Sequence, residues 1–386
     1  MQIKTVHSKE DIDAFHELPF MINHGNSKWI APLRQDVEKV FNPAKNPFFS
    51  HGECERWILS DHNNKTIGRI AAFINKTLAY TEDVPTGGCG FFEVIDDQAA
   101  AFLLFDTAKQ WLSERGMQAM DGPINFGERN AFWGLLAEGY DEEPTYLMNY
   151  NPPYYRGFFE AYGFKDYFRQ LSFGLPVAMA RPEKYNLFYE RLLKQGYRFE
   201  HAKKNNLEKY AEDFRTIYNQ GWHNFHNFHE MSKEQTLAIM KSMKPVMLDY
   251  LLWFGYYNDE PVAMFIMLPE LNQWFKHLHG NLNWWGMIKF LYYKTFGHND
   301  RIFGTVFGVV PQHQRKGVEA GIVMAADKVV RPKNIWKWIE LTWIADFNPK
   351  MVHTCETIGG KIVKAHITYR LMFDPAAPFK RHPIVE

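Results

Sequence analysis

Residues 307–324, FGVVPQHQRKGVEAGIVM, constrain the fold of this chain more tightly than any other stretch. An apolar run (Ile302, Phe303, Val306, Phe307, Val309, Val310) leads into it and suits a buried strand. Pro311 ends that run, because proline cannot donate to a strand ladder. Beyond Gly317 the apolar positions Val318, Ile322, Ala325, Ala326 and Val329 recur at helical spacing. The order is strand, short basic glycine-bearing turn, helix. Such a turn presents the unpaired N–H groups of a helix N-terminus beside Arg315 and Lys316, which suits an anion and best of all a diphosphate. An ordinary βα connection with two solvated basic residues is the plain alternative.

The segment resembles motif A of the GNAT acyltransferases, V-x-P-x-x-[QR]-x-x-G-x-[GA], which wraps the pyrophosphate of coenzyme A. Val309, Pro311, Gln314 and Gly317 fall on that pattern. The resemblance implies a cofactor site made of Val309, Val310, Gln314, Arg315, Lys316, Gly317, Val318 and Glu319, with coenzyme A or acyl-CoA as co-substrate. Glu319 departs from the usual Gly or Ala, so its carboxylate must point away from the phosphates or pair with a base.

Two halves of the chain share one order of elements. In the first, Arg56 to Ser60 and Thr66 to Asn75 read as strands joined by the turn Asp61-His62-Asn63-Asn64. A strand follows at Gly90 to Ile95, then an amphipathic helix from Gln98 to Arg115, a strand through Met120 to Phe126, and a short helix ending at Gly163. In the second half, Tyr250 to Tyr257 and Val262 to Leu268 form a hairpin ahead of the motif strand and helix. A strand through Trp338 to Ile344 comes next, and Asn348-Pro349 opens a helix that stops at Gly359-Gly360. The expected fold is mixed α/β: two similar halves, 1–175 and 176–386, each with a central mixed β-sheet flanked by helices. At the place of the phosphate turn the first half reads Val94-Ile95-Asp96-Asp97-Gln98, and two carboxylates there repel a diphosphate. Coenzyme A is therefore expected at the second half alone.

Longer segments resemble a particular tandem GNAT group, the bacterial ceramide synthase-like proteins. They are FFEVIDD (91–97), MDGPINFGERNAFWGLLAEGYDEEP (120–144), YNPPYYRGFFEAYGF (150–164), LPELNQWFKHLHGNL (268–282) and ELTWIADFNPKM (340–351). The resemblance implies transfer of an acyl group from a thioester to an amine, in some members a sphingoid base.

N-acyl transfer requires a neutral amine, a polarised thioester carbonyl and a proton for the departing thiolate. The resemblance implies a bulge in the motif strand, near Val309 or Val310, that frees an N–H for the carbonyl. Glu340, entering the strand after the motif helix, is the first candidate base, against a reading as a solvent-facing strand carboxylate. The Tyr that many GNAT enzymes carry seven residues after the Asn of the last core helix falls, counted from Asn348, on Cys355. A thiol with an ordinary pKa of about 8.5 can protonate a thiolate, though a free Cys also packs as a small apolar residue. His223, His226 and His229 do not share one helix face and have no carboxylate or Cys at ligand spacing, so no metal is expected and an imidazole base is the better functional use. Glu128, with Asp121, Asn130 and Glu138, flanks an irregular loop after a strand, where polar residues often form sites.

Net charge is zero and the sequence pI is about 7.3, which excludes a globally basic nucleic-acid binder. Three cysteines, odd in number and far apart, argue against a disulfide framework. The charged N-terminus lacks a signal-peptide core and no window approaches ~18 apolar residues, so a cytoplasmic protein is expected. Residues 271–296, rich in Trp and Tyr with interspersed Lys, suit an interfacial helix pair, a lipid-chain tunnel or packing against the first half. Together these point to an acyl-CoA-dependent N-acyltransferase with a small-molecule or lipid amine acceptor and peripheral membrane contact. The rival is a non-catalytic acyl-CoA- or lipid-binding protein on the same scaffold.

Overall fold

In the computed structural model, which describes residues 1–81, 84–223 and 230–384, the backbone hydrogen bonds of both halves close into one sheet. The first half comprises β1 (Gln2–Thr5), α1 (Lys9–Ile22), α2 (Arg34–Phe41), β2 (Gly52–Ser60), β3 (Thr66–Asn75), β4 (Thr86–Val94), α3 (Gln98–Ser113), β5 (Ala119–Gly122), β6 (Leu135–Glu138), α4 (Tyr154–Tyr162) and β7 (Lys165–Pro176). The second comprises α5 (Glu183–Lys194), β8 (Tyr197–His201), α6 (Leu207–Trp222), α7 (Lys233–Met243), β9 (Leu252–Tyr257), β10 (Glu260–Pro269), α8 (Asn272–Phe275), α9 (Trp284–Phe296), β11 (Arg301–Val309), α10 (Val318–Val330), β12 (Trp338–Ala345), α11 (Pro349–Thr357) and β13 (Lys361–Met372).

Local signals placed many of these ends. Asn64 at φ 60° makes the β2–β3 turn, while Gly163 at φ 110° ends α4 and Gly359 at φ 94° follows α11. The anticipated hairpin from Tyr250 starts as a single 3₁₀ turn, and its strand begins at Leu252.

The sheet order is β1-β2-β3-β4-β5-β13-β7-β12-β11-β10-β9-β8, with β6 also on β13. Parallel pairs occur once in each half, β4 with β5 and β11 with β12. The two last strands are exchanged: β7 of the first half lies antiparallel to β12, and β13 pairs with β5 and β6. Each half thus completes its sheet with the other's final strand, and β7 and β13 pair with each other along Lys361 to Arg370 at the centre.

Both parallel pairs open partway. β11 pairs with β12 only from Arg301 to Gly304. The bulge expected at Val309 or Val310 lies upstream: the register with β10 slips between Ile266 and Met267, leaving Thr305 as the extra residue. A one-residue slip turns every later side chain to the other face. Accordingly Gly304 packs on Leu341 and Phe265, whereas Gly308 turns toward Trp222 of α6. β12 carries its own bulge between Leu341 and Ile344, where Trp343 has φ 65°. Two threonines satisfy carbonyls at this opening, Thr342 donating to Gly304 O at 3.3 Å and Thr305 to Ile266 O at 3.2 Å. In the first half the equivalent opening is filled by the chain itself. Ile124 N donates to Cys89 O at 2.7 Å, and a Cβ on Gly90 would stand 1.8 Å from Ile124 O.

Candidate functional site

The turn after β11 folds as its residues dictate. Arg315 at φ 60° and Gly317 at φ 87° reverse the chain. Gly317 takes that conformation without a Cβ penalty, and a Cβ there would stand 2.7 Å from the Phe188 ring of α5. Gln314 donates its side-chain amide to Val309 O at 2.9 Å, and Arg191 donates to Lys316 O at 2.9 Å, bracing the turn from both sides. α10 starts at Val318 with no side-chain cap. The N–H groups of Val318, Glu319 and Ala320 therefore face the turn without intrahelical partners, beside the exposed Arg315 and Lys316. Val310 is buried and donates its N–H to Val262 O at 2.9 Å, so it anchors the turn to β10. Burial raises the pKa of the half-buried Glu319 carboxyl, and its charge acts on Tyr185 of α5.

The matching helix of the first half is closed to an anion. Asp97 caps α3 and accepts from Ala99 N at 2.8 Å and Ala100 N at 3.1 Å. Its carboxylate occupies the donors that α10 leaves open.

Between the opened ends of β11 and β12 and the loop after β5, side chains of both halves meet. Phe214, Tyr218 and Trp222 stack along α6, with interplanar angles of 8° and 15°. Burial, with a smaller contribution from the charge of Glu128, raises the Tyr218 phenol. Glu128 itself is exposed, and His223, also exposed, follows Trp222 at the end of α6. His226 and His229 lie outside the described residues. Trp343 and Phe347 pack with Phe132 and Phe168 of the first half and close the seam.

Two sequence candidates, Glu340 and Cys355, occupy different surroundings from those expected, while Asn348 opens its helix as expected. Glu340 is neither solvent-facing nor on the opened side of β12. It is 3% exposed, and the equally buried Lys364 on β13 places its Nζ 2.7 Å from Oε1. Lys364 also donates to Glu143 O at 2.8 Å. Glu270 lies nearby, accepting from Tyr146 N at 3.0 Å and Asn272 N at 2.8 Å, and burial with the Glu340 charge pushes its carboxyl up to about 8. The cavity at this cluster measures ≈ 10 Å³ and cannot admit an amine substrate. Asn348 caps α11, accepting from Met351 N at 3.2 Å. Cys355 is 2% exposed in the core of the second half, and burial pushes its thiol up to about 12. Asp121 is likewise committed, held by Arg370 of β13 at 2.6 Å and 2.9 Å. A larger cavity of ≈ 70 Å³ is lined mainly by the first half, including Phe91 and Glu93, together with Asn272 of α8, and none of the phosphate-turn residues line it. Tyr218, Trp222 and Trp343 were not singled out from sequence, although Phe214, Tyr218 and Trp222 recur every four residues as an aromatic stripe.

No protein-family model matches the chain. It is 27% identical over 375 residues to the bacterial ceramide synthase of Caulobacter vibrioides (strain NA1000 / CB15N), covering 96% of this chain and 97% of that protein. It is 24% identical over 374 residues to protein YghO of Escherichia coli (strain K12), covering 95% and 94%. Among solved structures, a tandem GNAT protein from the clavulanic acid biosynthesis pathway superposes with a TM-score of 0.54 at 9% identity, covering 97% of this chain and 99% of that one. The GCN5-related glucosamine N-acetyltransferase region of a fungal multi-domain GH3 β-N-acetylglucosaminidase gives 0.56 at 13% identity, covering 96% of this chain and 38% of that longer one.

Proposed function

The chain is a tandem GNAT-fold protein, and from that premise we propose that it is an acyl-CoA-dependent N-acyltransferase whose second half binds the thioester. The observation that carries this reading is the contrast between two equivalent helix starts. α10 leaves its first N–H groups open beside Arg315 and Lys316, whereas Asp97 occupies those of α3. With the diphosphate on the turn, the pantetheine arm enters the gap between β11 and β12 beyond Gly304. N–H groups on the edge of β11 that have no β12 partner there polarise the thioester carbonyl. The acceptor amine approaches from the seam between the halves, along Tyr218 and Trp222, where Glu128 takes its proton. The nitrogen then attacks the carbonyl carbon, the C–S bond breaks, and the proton that the nitrogen sheds on becoming an amide balances the one the thiolate takes up as it leaves as coenzyme A. The ceramide synthase name of one relative supports an amphiphilic amine as acceptor and a long acyl group as donor.

Thiol release from acyl-CoAs of graded length, with a panel of amines including a sphingoid base, tests the reading. Amine-dependent release that Arg315→Glu abolishes is the expected result. Stable acyl-CoA binding with no amine-dependent thiol would overturn it in favour of a non-catalytic acyl-CoA-binding protein. The sealing of Glu340 and Cys355 favours that second reading.

A further inference from the structure

The Trp-rich segment ends in a helix whose apolar face is turned outward. Half of the large apolar side chains exposed among the described residues sit on α9, including Trp284 at 65%, Trp285 at 59% and Phe296 at 76%. Ile288, Leu291 and Tyr292 lie between them on the same face. Soluble surfaces rarely gather this much contiguous apolar area without a partner.

The helix is held rigidly from behind. Asn283 caps it by accepting from Gly286 N at 2.9 Å. Gly286 and Phe290 are its buried residues, and Phe290 packs on Trp274 and Phe275 of α8 with centroids 6.0 and 5.5 Å apart. Tyr293 stacks on His277 at 3.9 Å. At roughly 100° per residue, the apolar side chains from Met287 through Phe296 sweep an arc of about 180° on the side opposite Phe290. Lys289 stands at one margin of that arc and Lys294 at the other, and the helix carries no Asp or Glu.

We propose that the outward face of α9 docks the protein on an anionic phospholipid surface. Three features select lipid over a second protein copy. Trp and Tyr rings suit the headgroup layer, where an apolar body and a polar edge are both satisfied. Lys289 at one margin extends its ammonium group toward lipid phosphates, while Lys294 at the other donates to Pro245 O and keeps that margin basic, whereas protein interface cores are depleted of Lys. Thirteen residues, about 20 Å of helix, lie along a bilayer surface and do not span it. Among the described residues no helix is long and apolar enough to cross a membrane.

Flotation of the full chain with vesicles of phosphatidylcholine alone, or mixed with phosphatidylglycerol, reads the surface directly. The wild type is expected to float with the mixed vesicles, and at least tenfold less with neutral ones or in high salt. Trp284→Ser with Leu291→Ser should lose that binding at least tenfold while keeping the wild-type circular dichroism spectrum and melting point, since both side chains are exposed. Lys289→Glu should lower binding to the mixed vesicles and leave the neutral ones unchanged. A wild type that stays at the bottom of both gradients overturns the proposal. So does a wild-type dimer, without vesicle binding, that Trp284→Ser turns into a monomer. Vesicle binding stands or falls separately from thiol release, so failure of the acyltransferase reading leaves this surface untouched.

Discussion

Trp222 lays its indole over Gly308: a Cβ on that glycine would stand 2.4 Å from the ring. The contact exists because the Thr305 bulge turns Gly308 toward α6, so it ties the seam between the halves to the opening of β11. Gly308→Ala is expected to lower stability by about 1–3 kcal/mol through overpacking. Trp222→Ala should relieve most of that cost, giving a clearly non-additive double-mutant cycle in denaturant unfolding. Additive effects would show that ring and Cβ do not compete for space.

Gly317 and Asp97 occupy equivalent starts of α10 and α3, and their substitutions should separate. Gly317→Ala forces a Cβ against Phe188 at a positive φ, and should weaken coenzyme A binding by at least an order of magnitude in calorimetry. Asp97→Ala removes a helix cap worth about 0.5–2 kcal/mol of stability and should leave coenzyme A affinity unchanged. The reverse pattern would move the cofactor to the first half.

Glu340 and Lys364 form an ion pair across two strands at the meeting of the halves. Removing one partner of a buried pair costs about 3–5 kcal/mol, because the other charge is left unpaired. Glu340→Leu should therefore destabilise strongly, and adding Lys364→Met should restore most of the loss. Equal melting points for the wild type and Glu340→Leu would sink this account.

Two buried groups give stability a particular pH shape. Burial pushes Glu270 up to about 8 and His366 down to about 4. Between pH ~4.5 and ~8 the folded chain holds one more proton at Glu270 than the unfolded chain, so this group makes stability fall as pH rises. Between pH ~4 and ~6.5 the unfolded chain holds one more proton at the His366 position, so that group makes stability rise with pH. The slopes of these two groups cancel from about pH 4.5 to 6.5, and above that Glu270 contributes a fall of about 1.4 kcal/mol per pH unit up to about 8. Glu270→Gln keeps the acceptor for Tyr146 N and Asn272 N and should flatten the upper limb. A limb that survives the substitution would point to another group.

What was legible in the sequence was local. The strand–turn–helix around Gly317, the hairpin through Asn64 and the Gly359 stop each depend on neighbours within a few residues. The exchange of β7 and β13 was not legible, because registers such as Tyr369 with Gly122 join residues far apart, and both strands mix apolar and polar residues with nothing local to fix a partner. The surroundings of Glu340 were hidden for the same reason, since Lys364 lies on the exchanged strand. Counting from Asn348 to Cys355 assumed an active-site face, whereas that side of α11 packs into the core beside Ile358.

Among the sequence candidates, Glu128 is the carboxylate we assign to the proton transfer. Glu340 is sealed by Lys364, Asp121 is held by Arg370, Glu138 stands 3.9 Å from Arg169, and Glu319 belongs to the phosphate turn. If Glu128 accepts the amine proton, Glu128→Gln should lower kcat by about 10²–10⁴, the usual contribution of a general base, and leave coenzyme A affinity unchanged. The residual rate should climb with pH, because the amine then loses its proton to solvent. His223→Ala, one residue beyond Trp222, is the matched comparison, since His223 is the other candidate base that falls among the described residues there. A deficit in His223→Ala with full activity in Glu128→Gln would transfer the role to the imidazole. Full activity in both, with acyl-CoA and amine saturating, would remove the base from this seam altogether.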